Sequence, residues 1–166
     1  MANDAPFAMP TMDPCYFCEI INGAADQWNV IDRTDATLTV LNARQYEVGQ
    51  CMVLTRRHAP TLLDLTAAEG AAVMTAARKA AQIFVDAFAP EGVLLYQNNG
   101  VGSGQEVPHF HLHVVPRQAG SDWGLGPPHM ARLEQGTNRL PKFDHTVVTA
   151  AKRDAAQTLR LHYSKR

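Results

Sequence analysis

Three of the chain's seven histidines stand at alternate positions in one short run, HFHLHVVPR, at residues 109–117. Alternate side chains of a β-strand point to the same face, so His109, His111 and His113 would form a row on a strand. A neutral imidazole can attack an electrophile, donate a hydrogen bond or bind a metal ion. The run therefore predicts a strand whose apolar face packs in a core and whose histidine face forms a site.

Three interpretations of the histidine row remain open from the residues alone. The histidines could be solvated side chains on the open face of a half-buried strand. They could all be ligands of a catalytic metal, but alternate strand positions lie about 6.5–7 Å apart, which suits two ligands better than three. One neutral imidazole could instead attack phosphorus while its neighbours orient it and stabilise charge.

The loop directly before the row, NGVGSGQEV, favours the nucleophilic interpretation. Gly100, Gly102 and Gly104 let the backbone turn several N–H groups towards an anion, as in many phosphate-binding loops. A glycine-rich loop that stands alone is more often only a turn. Joined directly to a histidine row, it predicts a phosphate-binding site.

Two of the three cysteines form a single Cys-x-x-Cys pair, Cys15 and Cys18. Such a pair by itself is compatible with redox activity, with metal binding or with chance. The third cysteine, Cys51, lies in an apolar run and is expected to be a small buried side chain. Three cysteines are too few for a disulfide framework, so we expect a reducing compartment.

The composition limits the classes of partner. The 166 residues carry a formal net charge of -1, with acidic and basic residues intermixed, so no basic stripe is present that would bind a nucleic-acid backbone. No run approaches the roughly 18 apolar residues that span a bilayer, and the first residues lack the pattern of a signal peptide. We therefore expect a cytoplasmic protein with no nucleic-acid and no membrane partner.

The elements that must position the site follow from periodicity and turn signals. Strands are predicted at four places, residues 36–43, 49–58, 93–98 and 109–117, the first two as an antiparallel pair. A long helix is predicted after Thr66, which forms a capping-box pattern with Glu69, and its apolar residues recur at helical spacing up to Phe88. A shorter helix-like segment ends near Gly23.

The domain organisation is that of one domain with loose ends. Prolines mark residues 1–13 as a flexible N-terminal arm, and the main domain is predicted over 14–120. The segment 121–166 is first turn-rich and then regains a helical pattern, and we assign it to the same domain. A chain of this length can bury a sizeable core.

The stretch QNNGVGSGQEVPHFHLHVVPR resembles the signature of the histidine-triad (HIT) family of nucleotide hydrolases and transferases. That signature is His-x-His-x-His followed by two apolar residues and preceded by an Asn or Gln, a glycine-rich loop and a Gln. The likeness continues upstream through VLNARQYEVGQCMVLTRRHAPTLLDLT and covers the chain from about Cys15 to Gly120. It implies an α+β fold, a five-stranded antiparallel sheet with helices on one side, which usually pairs edge to edge as a homodimer.

The resemblance also implies a reaction, the attack of His111 on the α-phosphorus of an adenosine phosphoanhydride or phosphoramidate. A covalent nucleotidyl-histidine forms and water then hydrolyses it, so the expected partner is an AMP-containing purine nucleotide. His113 and Gln105 are the other catalytic residues that the likeness implies. The implied substrate-binding residues are Asn42, at the ribose hydroxyls, with Asn98, Gly104, Gln105, Glu106 and His113 around the phosphates and leaving group.

A structural zinc ion is implied by the same resemblance. Some branches of the family hold zinc with a Cys-x-x-Cys pair, the histidine that ends the second central strand and the first histidine of the triad. The corresponding residues here are Cys15, Cys18, His58 and His109. The three histidines of the row would then have three different roles, since His109 would bind metal, His111 would attack and His113 would bind phosphate.

Glu106 departs from the pattern, because some branches have a serine or threonine there that assists the leaving group. A carboxylate beside a polyphosphate would repel it unless it is turned away or protonated. Glu106 therefore keeps open an alternative function, a non-catalytic purine-nucleotide-binding module with a structural zinc. Trp123 follows the matched region and could border the substrate pocket, although a core or dimer contact is an equal expectation.

Overall fold

A computed structural model of the chain describes residues 6–43, 45, 47–120 and 150–165. Five strands are present: β1 (Val30–Arg33), β2 (Thr37–Leu41), β3 (Cys51–Thr55), β4 (Gly92–Tyr96) and β5 (His111–Arg117). They form one open sheet in the order β1-β2-β3-β5-β4, and all four pairings are antiparallel. The predicted α+β fold with a five-stranded antiparallel sheet is confirmed.

In the described ranges, three α-helices accompany the sheet: α1 (Tyr16–Ile21), α2 (Ala67–Phe88) and α3 (Ala150–Tyr163). The predicted capping box starts α2, since the Thr66 side chain accepts from the N–H of Glu69 and the Glu69 carboxylate accepts from the N–H of Thr66. The helix ends at Phe88, and the next residue, Ala89, has a left-handed backbone with φ 44°. The C-terminal helical pattern is predicted over 147–163, and its residues 147–149 lie outside the described residues.

The strand β1 is the element that the periodicity did not predict. Its four residues include the charged pair Asp32 and Arg33, and a run so short offers too little alternation to be recognised. The strand forms because it pairs with β2, with Val30 opposite Val40 and Asp32 opposite Thr39. The fifth strand was therefore expected from the family resemblance alone.

The two faces of the sheet pack against different helices. On β3, Cys51 and Val53 point towards α2, whereas Met52 and Leu54 point to the opposite face. Among the described residues, sixteen are buried in the core between the sheet and the two long helices, including Phe84, Phe110, Val114 and Leu159. On the other face, α1 packs Phe17, Ile20 and Ile21 against Leu38, Val40, Met52 and Leu54. The histidine row lies on this second face, beside α1.

The helix α3 packs against α2 and β1. Ala156 and Leu159 are fully buried there, and Tyr163 is 5% exposed. The guanidinium of Arg160 donates to the carbonyl oxygens of Trp28, at 3.0 Å, and Val30, at 3.1 Å. This helix thus completes the apolar core at the β1 edge of the sheet. In the described part of the chain, none of the helices has the length and apolar character needed to cross a membrane.

Candidate active site and metal cluster

The histidine row is positioned where β5 enters the centre of the sheet. The N–H of Phe110 donates to the carbonyl oxygen of Ala59 at 2.6 Å, which holds the chain next to the end of β3 just before β5 begins. Within the sheet, His111 lies opposite Leu54, and His113 lies opposite Met52. The rings of His111 and His113 meet edge to face with centroids 5.0 Å apart.

His111 is arranged as a neutral base with one free nitrogen. Its Nδ1 lies 2.8 Å from the carbonyl oxygen of His109, and a carbonyl can only accept, so Nδ1 carries the proton and Nε2 keeps its lone pair. Burial lowers the pKa of His111, although the His109 carbonyl and the charge of Glu106 act in the opposite direction. Phe17 covers the ring with centroids 5.1 Å apart. The imidazole is therefore uncharged at neutral pH and able to attack through Nε2.

His113 has two close partners. The ring of Tyr96 stacks on it with centroids 4.3 Å apart and planes at 10°, and the side-chain nitrogen of Gln50 lies 3.4 Å from its Nδ1. Burial, and then the neighbouring His111, lower the pKa of His113 well below 6.5. This ring is therefore neutral as well.

The four predicted metal ligands are brought together. The donor atoms of Cys15, Cys18, His58 and His109 all lie within 4.8 Å of one another. Cys18 Sγ lies 3.3 Å from His58 Nδ1 and 3.5 Å from His109 Nδ1, and Cys15 Sγ lies 3.7 Å from His109 Nδ1. Zinc with bonds of about 2.3 Å to sulfur and about 2.0–2.1 Å to nitrogen separates such ligands by about 3.5 Å in a tetrahedron. The donor set and its spacing fit zinc.

The protonation of His109 also fits metal binding. Its Nε2 lies 2.8 Å from the carbonyl oxygen of Thr55, so Nε2 carries the proton and the Nδ1 lone pair faces the two cysteines. Burial lowers the pKa of His109 to about 4, which keeps the ring neutral. Burial and the nearby Cys15 raise the pKa of the Cys18 thiol to about 11. Binding a metal would therefore release a proton from this thiol.

Gln105 is placed inside the glycine-rich loop. Its side-chain oxygen accepts from the N–H of Gly100 at 2.7 Å, and its side-chain nitrogen donates to the carbonyl oxygens of Pro60, at 2.7 Å, and Val107, at 2.9 Å. The residue is only 3% exposed. The amide thus holds the loop against the segment that follows β3, and its contact with substrate stays a prediction.

Most N–H groups of the loop are also used within the protein. Val101 donates to the carbonyl oxygen of Ala8 at 2.8 Å, and Gly104 donates to that of Val101 at 2.9 Å. The N–H groups of Ser103 and Gln105 both donate to the carbonyl oxygen of Gly100, at 3.2 Å each. The loop is therefore a turn held by its own backbone hydrogen bonds. The N–H of Gly104 takes part in one of them and is not available to a ligand in this conformation.

The three further predicted binding residues lie at the end of β2, after β4 and in the glycine-rich loop. Asn42 is 7% exposed at the end of β2, where its backbone N–H donates to the carbonyl oxygen of Gln50 at 2.8 Å. Asn98 is half-buried after β4, with its side-chain nitrogen 3.4 Å from the carbonyl oxygen of Gly104. Glu106 is exposed, and its charge acts on His111. Trp123 lies outside the described residues.

Two residues at the site, Gln50 and Tyr96, were missed by sequence reasoning. Gln50 has the same parity as Met52 and Leu54, so the alternation of β3 already places it on the histidine face. Tyr96 ends a strand without a comparable signal, because its contact depends on the β4–β5 register, in which it lies opposite His113.

The sequence matches a family model described as the HIT domain over residues 25–120. The chain is 30% identical to Protein hit of Bacillus subtilis over 118 residues, which are 71% of this chain and 80% of that protein. It is 33% identical over 89 residues to an asymmetrical bis(5'-nucleosyl)-tetraphosphatase of Schizosaccharomyces pombe, covering 54% of this chain and 49% of the relative. It is 33% identical over 105 residues to an AP-4-A phosphorylase of Mycobacterium tuberculosis, covering 63% and 54%.

Solved structures share the fold. A zinc-bound histidine triad family protein from Mycobacterium smegmatis superposes with a TM-score of 0.71 at 23% identity, covering 92% of this chain and 95% of that one. A HIT family protein from Bacillus anthracis gives a TM-score of 0.65 at 30% identity, covering 75% and 93%. The match thus extends beyond the signature to the whole arrangement of sheet and helices.

Proposed function

Because this chain belongs to the HIT-domain family, we propose that it hydrolyses the α-phosphate linkage of adenosine phosphoanhydrides or phosphoramidates, with His111 as the nucleophile. Relatives named as a tetraphosphatase and a phosphorylase support a nucleotide hydrolase or transferase. The observation that carries the proposal is the His111 ring, whose Nδ1 proton is directed at the His109 carbonyl and whose Nε2 lone pair is free. A dinucleoside polyphosphate or an adenylylated amine is the substrate class.

The proposed reaction has two displacements at the same phosphorus. The lone pair of His111 Nε2 forms a bond to the α-phosphorus, and the bond to the leaving oxygen or nitrogen breaks, with the leaving group taking the electron pair and then a proton. Water next attacks the phosphorus of the nucleotidyl-histidine, and the phosphorus–nitrogen bond breaks with its electron pair returning to Nε2. AMP leaves, the attacking water loses a proton to solvent, and the neutral imidazole is restored. The Nδ1 hydrogen bond stabilises the charge that the ring gains during the first attack.

The other predicted residues act on binding and charge. His113 is proposed to donate a hydrogen bond to an α-phosphate oxygen, and Asn98, two residues after the end of β4, is proposed to bind the phosphates as well. Asn42 is proposed to hold the ribose hydroxyls. Gln105 supports this arrangement through the loop, and the charge of Glu106 favours a leaving group that is less anionic than a polyphosphate.

The test compares AMP release by the wild type and His111→Asn across diadenosine polyphosphates of different lengths, adenylyl-lysine and an adenosine phosphoramidate. Wild-type activity on any member should vanish in the variant, because asparagine cannot form the phosphorus–nitrogen intermediate. The variant should melt like the wild type, which shows that the fold is intact. Full turnover by His111→Asn would overturn the assignment.

We also propose a structural zinc ion held by Cys15, Cys18, His58 and His109. The four donors and their separations support it, and the Mycobacterium smegmatis neighbour is described as zinc-bound. All four coordination positions come from the protein, so the ion would contribute stability and would not present an open site to substrate. It would join the start of α1, the end of β3 and the start of β5.

Metal analysis tests this proposal directly. The purified wild type should contain about one zinc per chain, and Cys18→Ser should lose the metal and melt at a lower temperature. Cys51→Ala is the matched control, because this thiol is fully buried in the helix-side core and should not change the zinc content. Metal-free wild type whose melting is unaffected by chelation would contradict the proposal.

We also propose an oligomeric state and a cellular location for the protein. The strand β4 lies at an edge of the sheet, and Leu95 on it is 44% exposed, so we propose that two copies pair there as a homodimer. Light scattering should give twice the chain mass, and Leu95→Lys should reduce this mass.

A cytoplasmic location is proposed because the free thiols of Cys15 and Cys18 must stay reduced to bind zinc.

A nucleotide-binding module without catalysis is the second candidate. It is favoured by the engagement of the Gln105 amide and most loop N–H groups inside the protein, which leaves fewer donors for a transition state. This function predicts that AMP binds while no member of the substrate panel releases AMP. Measuring AMP affinity alongside the panel separates the two candidates.

A further inference from the structure

The ring of His113 is contacted by Tyr96 on its face and by Gln50 at its edge. Tyr96 pairs with His113 across β4 and β5, and the two rings stack almost in parallel, 4.3 Å apart. At the ring edge, the Gln50 side-chain nitrogen lies 3.4 Å from His113 Nδ1. Gln50 is fully buried directly before β3, so its amide has little freedom to move away. These contacts restrain both the plane of the ring and one of its nitrogens.

The partner of Nδ1 decides what the other nitrogen can do. A neutral imidazole carries one proton, on either Nδ1 or Nε2, and the second nitrogen is an acceptor. The amide nitrogen of Gln50 is a donor only, so Nδ1 of His113 must accept from it. The ring proton then lies on Nε2. The contact with Gln50 therefore turns the opposite end of the ring into a hydrogen-bond donor.

The two neighbouring histidines consequently differ in tautomer. His111 carries its proton on Nδ1, which faces the His109 carbonyl, and it offers a bare Nε2. His113 carries its proton on Nε2, because Gln50 occupies its Nδ1. Phosphate oxygens only accept hydrogen bonds, so a nucleophile needs the first tautomer and a phosphate-binding residue needs the second.

We propose that Gln50 and Tyr96 are positioning residues that hold His113 as a phosphate donor, Gln50 by setting its tautomer and Tyr96 by holding its ring plane. This role rests on the proposed function of the site. A donor in a fixed position stabilises charge on the phosphate oxygens as it builds up in the transition state, without reorganising during the reaction. Loss of either residue therefore affects kcat more than KM.

The tautomers are measured by long-range proton–nitrogen correlation on protein labelled with [15N]histidine, without substrate and above pH 7. The wild type should show the His113 proton on Nε2 and the His111 proton on Nδ1, with His113→Asn used to assign the signals. In Gln50→Leu, His113 should lose its single tautomer while His111 stays unchanged. A wild-type proton on His113 Nδ1, or an unchanged tautomer in Gln50→Leu, would overturn the role of Gln50.

A second variant keeps the test decisive if leucine disturbs folding at this buried position. Gln50→Glu has nearly the same shape, but its carboxylate accepts a hydrogen bond and cannot donate one. A proton should therefore appear on His113 Nδ1, and kcat should fall. A folded Gln50→Glu protein with no proton on Nδ1 would contradict the proposal.

The kinetic arm uses the best substrate of the panel. Gln50→Leu and Tyr96→Leu should each lower kcat roughly ten-fold, the size expected for one misplaced hydrogen bond, with a smaller change in KM. Tyr96→Phe keeps the stacked ring and should retain most of the rate. The matched control is Gln82→Leu, at an exposed position of α2. Normal kcat in both leucine variants would show that neither residue positions His113.

The two arms separate this role from the proposed function. The tautomers are read without any reaction, so a wild type that releases no AMP would refute the hydrolase while leaving the Gln50 contact to be decided by the nitrogen spectra. A wild type that releases AMP, with normal rate and tautomer in Gln50→Leu, would refute only the positioning role.

Discussion

At the residue scale, His109, His111 and His113 differ because their partners differ. His109 directs its proton to the carbonyl of Thr55 and leaves Nδ1 for the metal cluster. His111 directs its proton to the carbonyl of His109 and leaves Nε2 free. Identical side chains at equal spacing thus acquire different chemistry, because a backbone carbonyl selects which ring nitrogen is protonated.

Gln105 gives the prediction at this scale. Gln105→Leu should lower the free energy of unfolding by at least about 2 kcal/mol, because it leaves the N–H of Gly100 and the carbonyls of Pro60 and Val107 without the amide. Urea denaturation measures this loss, and AMP release should fall with it as the loop loosens. Gln82→Leu again serves as the exposed control.

The opposite result at Gln105 would also be informative. If Gln105→Leu unfolds at the wild-type urea concentration but no longer releases AMP, the residue acts on substrate and the loop does not depend on its amide. That outcome would restore the direct catalytic contact that the family resemblance implies.

At the element scale, the start of α2 is bonded to the segment that carries His58, one of the four candidate metal ligands. Arg57 directly precedes His58 in the sequence, and its guanidinium donates to both carboxylate oxygens of Glu69, at 2.8 and 2.7 Å. Glu69 in turn caps the helix by accepting from the N–H of Thr66. The hydrogen bond from Arg57, followed by that from Thr66, lowers the pKa of Glu69 to about 2.

This shift predicts how the stability depends on pH. Glu69 binds a proton more readily in the unfolded chain, where its pKa is about 4.5, than in the folded protein. Its stabilising contribution is therefore complete above pH 4.5 and is lost as the pH falls towards 2. Glu69→Gln can keep the capping box but not the charge, so its melting temperature should lie below that of the wild type at pH 6.

The comparison is made by thermal melting from pH 6 down to pH 2. The difference between Glu69→Gln and the wild type should shrink through this range as the wild-type carboxylate becomes protonated. Glu91→Gln, at an exposed position before β4, provides the control for a general loss of negative charge. A difference that stays constant with pH would show that the charge of Glu69 does not contribute.

At the scale of the whole molecule, the core extends beyond the part that defines the family. The family model ends at residue 120, yet α3 supplies buried residues to the core between the sheet and α2. On the other face, the cluster of Cys15, Cys18, His58 and His109 brings together the start of α1 and the segments after β3 and before β5. The sheet is thus supported by the C-terminal helix on one face and by the N-terminal cluster on the other.

Two leucines on α3 test this organisation. Leu159 is fully buried, whereas Leu161, two residues later, is 55% exposed. Leu159→Ala should lower the free energy of unfolding by about 2–4 kcal/mol, because it leaves a cavity in the core. Leu161→Ala should change it by less than about 0.5 kcal/mol. Equal effects of the two substitutions in chemical denaturation would contradict the packing of α3.

The sequence by itself determined the features that local pattern encodes. The alternation of residues 109–117 identified the strand and the histidine face, and Thr66 with Glu69 located the start of α2. The signature and the Cys-x-x-Cys pair named the candidate nucleophile and the four candidate ligands, which the fold then brought together. Such features are readable because periodicity, capping and motif spacing act over a few residues.

Only the tertiary structure decided the contacts that depend on register and on distant segments. The pairing of β4 with β5 puts Tyr96 on His113. The folding of the loop puts the Gln105 amide in contact with Gly100 and Pro60. The strand β1 exists because β2 offers it a partner. The ring partners of His109 and His113 are Thr55 and Gln50, which the fold brings from far along the chain, so no local pattern could specify these contacts.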